Sequence, residues 1–198
     1  MSAIKIQSIS DQELVSQYIN GHEPSLEELI RRHKSKIYTS IYLLVKDSYL
    51  AEDIFQDTFI KVINTLKAGR YNEEGKFLPW VIRIAHNLVI DHFRKIKRTP
   101  VVTTGEGFDI FEVIEFNDES AEEKIIREQT YQDLRKFIHH LPSELKEVLI
   151  MRHYGDLSFK EISDITGVSI NTALGRMRYA LNNLRKMMLS RELSLNND

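Results

Sequence analysis

Apolar residues recur at helical spacing along most of this chain, in blocks that short polar stretches separate. Ser10 with Glu13, and Ser25 with Glu28, have the spacing of a capping box, which marks the start of a helix. The pattern predicts four helices in the first half of the chain: a short one after Ser10, a longer one from Ser25, one over about 48–66 and one over 77–98, in which a break near Asn87 stays open.

Residues 99–123 differ from the rest of the chain, because they show no clear helical period and contain eight acidic residues and no basic one. This composition is typical of a solvated linker, although Ile110, Phe111 and Val113 make it partly apolar. Helical patterning resumes near Ala121. We therefore predict an all-α protein with two small helical domains, over residues 1–98 and 125–198, joined by an acidic linker over residues 99–124.

The composition excludes several classes of protein. The chain has 198 residues and no cysteine, which rules out disulfide scaffolds, zinc ribbons, iron–sulfur clusters and thiol catalysis. No apolar run approaches the roughly 18 residues that cross a bilayer, and the first residues have no signal-peptide pattern. Glycine-rich phosphate loops and the HExxH and GxSxG motifs are missing from the sequence. We expect a soluble, cytoplasmic, non-enzymatic protein with no metal, no cofactor and no membrane insertion.

The net charge of −2 conceals an uneven distribution along the chain. Residues 1–98 carry 15 basic and 12 acidic groups, residues 99–130 carry 2 and 9, and residues 131–198 carry 10 and 8. Two mildly basic parts are therefore joined by a strongly acidic one. A nearly neutral total can hide two phosphate-facing surfaces in this way.

Residues 157–187 have the pattern of a helix-turn-helix, in which Ser158 caps a short helix, Gly167 forms a tight turn and Ser169 caps the next helix. An ordinary helical hairpin with solvated charges is the alternative. A helical wheel predicts that one side of the last helix buries Ile170, Ala173, Met177, Ala180 and Leu184. The opposite side offers groups that can read base edges, namely Asn171, Gly175, Arg178 and Asn182, with Thr172, Arg176 and Tyr179 along one flank.

A second basic cluster ends the predicted helix over 77–98 and consists of Arg94, Lys95, Lys97 and Arg98. Cations are favoured at a helix C-terminus by the macrodipole, so a purely structural role is one alternative. Aromatic and amide groups along the same helix, including Trp80 and Asn87, are instead what capture of an unstacked base requires. For Trp80 itself, packing in the core is the competing interpretation.

Asp53 and Asp57 lie one turn apart in the predicted third helix, with Glu52 and Gln56 beside them. Paired carboxylates can serve catalysis, but no basic partner or cleft is visible in the sequence. We favour an acidic surface that faces a partner.

Taken in order, three blocks of the sequence resemble the extracytoplasmic-function (ECF) sigma factors, the smallest members of the main bacterial sigma factor family. DSYLAEDIFQDTFIKVI resembles region 2.2, which docks on the clamp helices of the RNA polymerase β′ subunit. FLPWVIRIAHNLVIDHFRK resembles regions 2.3 and 2.4, which melt and read the −10 promoter element. LPSELKEVLIMRHYGDLSFKEISDITGVSINTALGRMRYAL resembles region 4, which reads the −35 element and touches the β flap.

The resemblance implies a role for individual residues. It implies a core-polymerase contact by Asp53, Gln56, Asp57, Phe59 and Ile60. Binding of the −10 element is implied for Trp80, Arg83 and Asn87. We assign the basic end of the same helix to this element as well, because of its charge: Arg94, Lys95, Lys97 and Arg98. For the −35 element the resemblance implies a contact by Arg176. The helical wheel adds Asn171, Thr172, Gly175, Arg178 and Tyr179. Leu174 and Gly175 stand where related proteins often have Lys or Arg and then Ser, so the bases read at −35 stay open.

The resemblance also implies partners and a function. An alternative sigma factor binds core RNA polymerase and promoter DNA, is regulated by an anti-sigma factor, and has a linker that threads toward the RNA exit path.

Two alternatives remain at this stage. One is a polymerase-independent helix-turn-helix regulator with a sensor or dimerisation domain over residues 1–98. The other is a helical enzyme that uses Asp53, Asp57 and histidines.

Overall fold

The structure is a computed structural model that describes residues 9–72, 75–98 and 134–195. Every regular element within these ranges is a helix, and no strand occurs in them. The all-α prediction is therefore confirmed. The helices form two compact units, which are taken in turn below. The predicted linker, residues 99–124, lies outside the described residues, and the domain limits stay a prediction.

The first unit contains α1 (Asp11–Ile19), α2 (Glu23–Val45), α3 (Ser48–Lys67) and α4 (Phe77–Arg98). α1 begins where the sequence predicts, because the Ser10 hydroxyl accepts a hydrogen bond from the Glu13 N–H at 3.2 Å. Asp47 caps α3 in the same way and accepts from the Leu50 N–H at 3.0 Å. α4 is continuous through Asn87, so the break that the sequence left open does not occur.

The predicted capping box at Ser25 and Glu28 is wrong. α2 begins two residues earlier, at Glu23, with Pro24 in its first turn, where the missing proline N–H costs no hydrogen bond. Ser25 is buried, and its hydroxyl donates to Gln17 Oε1 at 2.7 Å. Ser25 therefore joins α2 to α1 and does not cap α2.

Charged side chains hold α1 against α2. Arg32 Nε donates to Glu28 Oε1 at 2.7 Å, and Arg32 Nη1 donates to the Ile9 carbonyl at 2.6 Å and to Asp11 Oδ1 at 3.2 Å. Arg31 Nε donates to Glu28 Oε2 at 2.7 Å. The hydrogen bonds from Arg31 and Arg32 lower the pKa of the buried Glu28 from its ordinary 4.5 to about 2, against the opposing effect of burial.

The core of the first unit forms from the apolar side of each of its four helices. Burial of these side chains leaves one long side of α3 and one long side of α4 exposed, as the helical period requires. The side chains that are almost fully buried include Leu14, Leu29, Ile37, Ile41, Val62, Leu66, Phe77 and Val81.

The second unit contains a helical stretch over residues 134–140, then α5 (Ser143–His153), α6 (Phe159–Thr166) and α7 (Ile170–Leu195). α7 packs against both α5 and α6. Ala173 and Ala180 are completely buried at this contact, and their small side chains allow close packing of the helices. Val148 and Ile162 complete the centre of this core.

Candidate docking and nucleic-acid surfaces

The outward side of α3 carries acidic, amide and apolar side chains that point away from the core. Asp53 and Asp57 are exposed, and Gln56 lies between them. Ile60 exposes 55% of its surface, and Tyr49, one turn before Asp53, exposes 83%. Helical spacing places these residues on one side of α3. We call this set the α3 outer face: Tyr49, Asp53, Gln56, Asp57 and Ile60.

Phe59 does not belong to the α3 outer face. It exposes 6% of its surface, and its ring centroid lies 4.9 Å from that of Phe55 in the core. The neighbouring Thr58 is also buried and donates to the Ile54 carbonyl at 2.7 Å. Of the five residues expected to contact polymerase, four are therefore exposed, while Phe59 supports the helix from beneath.

The outward side of α4 presents Arg83 and Asn87, which are exposed and lie one helical turn apart. Trp80 is half-buried on the same side. Its ring centroid lies 4.3 Å from that of Tyr71 and 6.0 Å from that of Phe77. Trp80 therefore packs on aromatic neighbours, as the core interpretation expects, but it is not fully buried.

The basic end of α4 is only partly described. Arg94 and Lys95 are exposed, and Arg94 has the spacing that places it on the same side of α4 as Asn87. Arg94 Nη1 lies 3.5 Å from Asp91 Oδ1, an exposed contact that contributes little to stability. Lys97 and Arg98 are part of α4, but their side chains lie outside the described residues.

The helix-turn-helix forms with the predicted caps. The Ser158 hydroxyl accepts from the Glu161 N–H, and the Glu161 carboxylate accepts from the Ser158 N–H at 2.8 Å, which completes a capping box. Gly167 ends α6 with a φ of 68°, in the left-handed region that favours glycine. The Ser169 hydroxyl accepts from the Thr172 N–H at 3.1 Å and caps α7. These interactions set the direction in which α7 leaves the turn.

The inner side of α7 agrees with the helical wheel at three of the five residues predicted to bury. Ala173, Ala180 and Leu184 are buried, whereas Met177 is only half-buried. Ile170 was predicted to bury and instead exposes 45% of its surface. Ile170 stands at the first position of α7, where the packed helices α5 and α6 do not cover it.

The outer side of α7 is exposed as predicted for Asn171, Arg178 and Asn182, and Gly175 is half-buried between them. On the flank, Thr172 is exposed but its hydroxyl lies 2.9 Å from the Ser169 hydroxyl, so it takes part in the cap. The outer side therefore combines amide and guanidinium groups that reach solvent.

The other two flank residues differ in exposure. Tyr179 exposes 67% of its surface. Arg176 is half-buried and lies near the start of α5. The pKa of Glu144 is lowered by its own backbone N–H, by the Ser143 hydroxyl and by the charge of Arg176, in that order of size.

In the described part of the chain, no group of three or more histidine, aspartate or glutamate side chains is arranged to hold a metal ion. Within the same residues, no helix is both long and apolar enough to cross a membrane.

Two family models match the chain, and together they cover most of the helices described above. The model of Sigma-70 region 2 matches residues 29–99, and the model of Sigma-70 region 4 matches residues 131–182. The first match includes α3 and α4, and the second includes the helix-turn-helix.

Full-length relatives agree with both matches. The chain is 26% identical over 178 residues to the ECF RNA polymerase sigma factor SigW of Bacillus subtilis (strain 168), covering 88% of this chain and 94% of SigW. It is 30% identical over 165 residues to the RNA polymerase sigma factor SigV of the same organism, covering 83% of this chain and 92% of SigV. The chain belongs to the ECF sigma factors.

As an alternative sigma factor, the protein binds core RNA polymerase and directs promoter-specific transcription initiation. Its family consists of transcription factors and is not known for enzymatic activity. A solved structure of the sigma factor RpoE from Bartonella quintana, in complex with the anti-sigma factor NepR, shares the fold. The two superpose with a TM-score of 0.62 at 17% identity, over 82% of this chain and 96% of that one.

Three exposed residues lie on these surfaces that the sequence did not lead us to assign to polymerase or DNA binding. Tyr49 extends the α3 outer face by one turn, while Ile170 and Leu174 are exposed at the start of α7. Tyr49 could have been found from its helical spacing to Asp53 and Gln56. Ile170 could not, because only the arrangement of α5 and α6 decides whether the first residue of α7 is covered.

Proposed function

We propose that this sigma factor uses three exposed surfaces, one each on α3, α4 and α7, to bind core polymerase, the −10 element and the −35 element. One observation carries the proposal. Most polar side chains expected at each surface are exposed on helices within the two matched regions, and these are available to a partner. Arg176 is half-buried, and the side chains of Lys97 and Arg98 lie outside the described residues.

The α3 outer face is proposed to dock on the β′ clamp helices. Its exposed tyrosine and isoleucine, Tyr49 and Ile60, supply the apolar anchors that carry most of the binding energy at protein interfaces. Asp53 and Asp57 supply charge, which governs orientation and association rate more than affinity. In this proposal Phe59 acts from beneath, because its buried ring packs with that of Phe55 on the inward side of α3.

The outer side of α4 is proposed to hold the melted −10 strand. The Asn87 amide offers a donor and an acceptor, which suit the exposed edge of a flipped base. Arg83 and Arg94 lie on the same side and suit the neighbouring phosphates. Trp80 is half-buried on this side, and the exposed part of its ring can contact a base. Lys95, Lys97 and Arg98 would extend the phosphate contacts to the end of the helix.

The outer side of α7 is proposed to enter the major groove at the −35 element. Asn171 and Arg178 are exposed where α7 leaves the turn, and their side chains can pair with base edges. Arg176 on the flank suits a phosphate contact, which fixes register without reading sequence. Thr172 and Tyr179 complete the surface, and Gly175 permits a close approach.

The proposal also covers the linker, the β flap contact and regulation by an anti-sigma factor, which the family resemblance implies. The acidic segment 99–124 would link the two domains and thread toward the RNA exit path, a channel that accommodates polyanions. The second unit would touch the β flap, and an anti-sigma factor would regulate the protein, as NepR is seen bound to the structural neighbour RpoE. The protein would work in the cytoplasm without chemistry of its own.

A transcription assay tests the function as a whole. Purified protein, core polymerase and a pool of genomic promoter fragments should together yield defined transcripts, whereas neither protein alone should do so. The free protein should bind duplex promoters poorly. Tight, specific duplex binding by the free protein, with no effect of core polymerase, would instead indicate a polymerase-independent regulator.

A charge reversal tests the α3 outer face. The double variant Asp53→Lys/Asp57→Lys should lose core-polymerase affinity by more than about 100-fold, since reversed charges at an interface cost several kcal/mol. Its helical content by circular dichroism should not change, because both side chains are exposed. The matched control is Glu13→Lys/Glu27→Lys, which reverses two exposed acids on α1 and α2. Equal affinity of the two double variants would contradict the docking proposal.

A further inference from the structure

Two large apolar side chains are exposed at the start of α7, beside the surface proposed to read the −35 element. Ile170 exposes 45% of its surface and Leu174 exposes 44%. They lie one helical turn apart, and Arg178 continues the same row one turn later. The row therefore runs from two aliphatic groups to a guanidinium, with Asn171 next to it.

The fold of the second unit does not require Ile170 and Leu174 at these positions. Ala173, Ala180 and Leu184 already bury the inner side of α7. The Ser169 hydroxyl caps the helix, so the start of α7 does not depend on Ile170 either. Large apolar side chains that stay exposed without serving the core often mark a binding surface.

Charge favours DNA as the partner of this surface. Between residues 170 and 190, α7 carries four cations and no acidic residue. A helix of this composition attracts a polyanion. In a helix-turn-helix, the N-terminal residues of the second helix are those that contact base edges, which is where Ile170 and Leu174 lie.

Gly175 provides an independent sign of close approach. A Cβ atom built on Gly175 meets no atom within 4 Å, so no packing in the described part of the unit requires a glycine there. Glycine in a helix interior is nevertheless unfavourable. The missing side chain leaves room for the close approach of a partner directly beside Leu174.

Resting on the proposed −35 role of α7, we propose that Leu174, with Ile170 beside it, reads the C5-methyl group of a thymine in the major groove. Thymine is the only base that presents a methyl group on this edge. Over a cytosine the aliphatic side chain would lose that methyl contact, and over a purine it would cover a hydrogen-bonding group without pairing it, which is costly. This chemistry gives an aliphatic residue a direct role in sequence preference.

Deoxyuridine tests the proposal, because it removes the methyl group of thymine and leaves every hydrogen bond in place. The preferred upstream element is first selected with the holoenzyme from a randomised duplex. Each thymine of that element is then replaced singly by deoxyuridine, on either strand. At one or two positions, holoenzyme affinity should fall by about fourfold, the loss expected for one buried methyl-sized group.

Protein variants link that loss to Leu174. In the Leu174→Ala holoenzyme, binding of the thymine element should weaken by about fourfold or more, and deoxyuridine at the sensitive position should have no further effect. Leu174→Met keeps an apolar contact and should keep the sensitivity to deoxyuridine. The matched control is Leu181→Ala, because Leu181 is as exposed as Leu174 but lies two turns further along α7. It should also keep that sensitivity.

Four results would overturn the proposal. A selected upstream element in which no thymine is sensitive to deoxyuridine would overturn it while leaving the −35 role of α7 intact. Unchanged sensitivity in the Leu174→Ala holoenzyme would assign the methyl contact to another residue. A loss of affinity for core polymerase in Leu174→Ala, with promoter selection unaltered, would make this surface a protein contact. Failure to select any upstream element would remove the proposed −35 role itself.

Discussion

Asn87 and His86 are neighbours in the sequence but face opposite environments. His86 is buried, while Asn87 points outward from α4 one turn after Arg83. An exposed amide contributes little to the fold, so its replacement should report on binding alone. This separation makes Asn87 a suitable position at which to test base capture in the open complex.

We expect Asn87→Ala to reduce open-complex formation more than closed-complex binding. Loss of a hydrogen-bonding group that reads a base costs roughly 1–3 kcal/mol at that base. Permanganate footprinting of the melted region measures open-complex formation, and filter binding at low temperature measures the closed complex. The control is Gln12→Ala, which removes an exposed amide on α1. Equal losses in the two assays would contradict the assignment of Asn87.

Gly175 offers a second test at the scale of one residue, because stability and binding should respond in opposite directions. Its backbone is helical and a Cβ atom would meet nothing within 4 Å. We expect Gly175→Ala to stabilise the protein by about 0.5–1 kcal/mol in urea unfolding, through the better helix propensity of alanine. The same variant should weaken holoenzyme binding to the −35 element. A destabilised variant would show that the glycine serves the fold.

At the scale of secondary-structure elements, the contact between α1 and α2 depends on a buried carboxylate. Glu28 receives hydrogen bonds from Arg31 and Arg32, and Arg32 also reaches the Ile9 carbonyl at the start of α1. The pKa of Glu28 is about 2 in the folded protein, below its ordinary 4.5. Since the folded pKa is the lower one, the ionised carboxylate stabilises the fold above about pH 4.5, and this contribution is lost as the pH falls toward 2.

We expect Glu28→Gln to destabilise the protein by about 1.5–3 kcal/mol near neutral pH, the range for hydrogen bonds to charged groups. The difference between wild type and variant should shrink as the pH falls from about 4.5 toward 2, because the wild-type carboxylate then becomes neutral. Urea unfolding of both proteins across this pH range measures the difference. Glu27→Gln is the control, since Glu27 is exposed. A difference that is constant with pH would exclude ionisation of Glu28 as its cause.

At the scale of the whole molecule, charge is distributed so that two mildly basic ends flank a strongly acidic middle. This distribution agrees with a protein that binds nucleic acid through two separate helical units yet carries little net charge. We expect the free protein to bind DNA only weakly without sequence preference. Non-specific affinity depends on how many phosphates the cations of the protein neutralise, and here the acidic groups offset those cations. Core polymerase would therefore control when the promoter surfaces are used.

The predicted domain limits can be tested by limited proteolysis with a glutamate-specific protease. We expect the first cut between residues 99 and 124, because this segment contains eight acidic residues and no helical period. Glutamates within the packed helices should be cut later, since cleavage there requires local unfolding. Mass spectrometry of the earliest fragments identifies the site. Initial cleavage within α1–α4 would contradict a linker at this position.

The helices, the caps at Ser10 and Ser158, and the turn at Gly167 could all be predicted from the sequence. Each depends on interactions within a few residues: the 3.6-residue period, a side chain that accepts from a nearby N–H, and a backbone conformation that favours glycine. The exposure of Asp53 and Asp57 followed from the same periodicity. Local rules of this kind apply before any helix packs against another.

Other features depended on contacts between residues far apart in the chain, and these only the tertiary structure decided. Ser25 has the sequence of a cap but bonds to Gln17 on α1. Arg32, which holds Glu28, also reaches the Ile9 carbonyl and Asp11 at the start of α1. Ile170 is exposed because α5 and α6 leave the first turn of α7 uncovered. A helical wheel gives the side of a helix on which a residue lies, but the packing of neighbouring helices decides whether that side is covered.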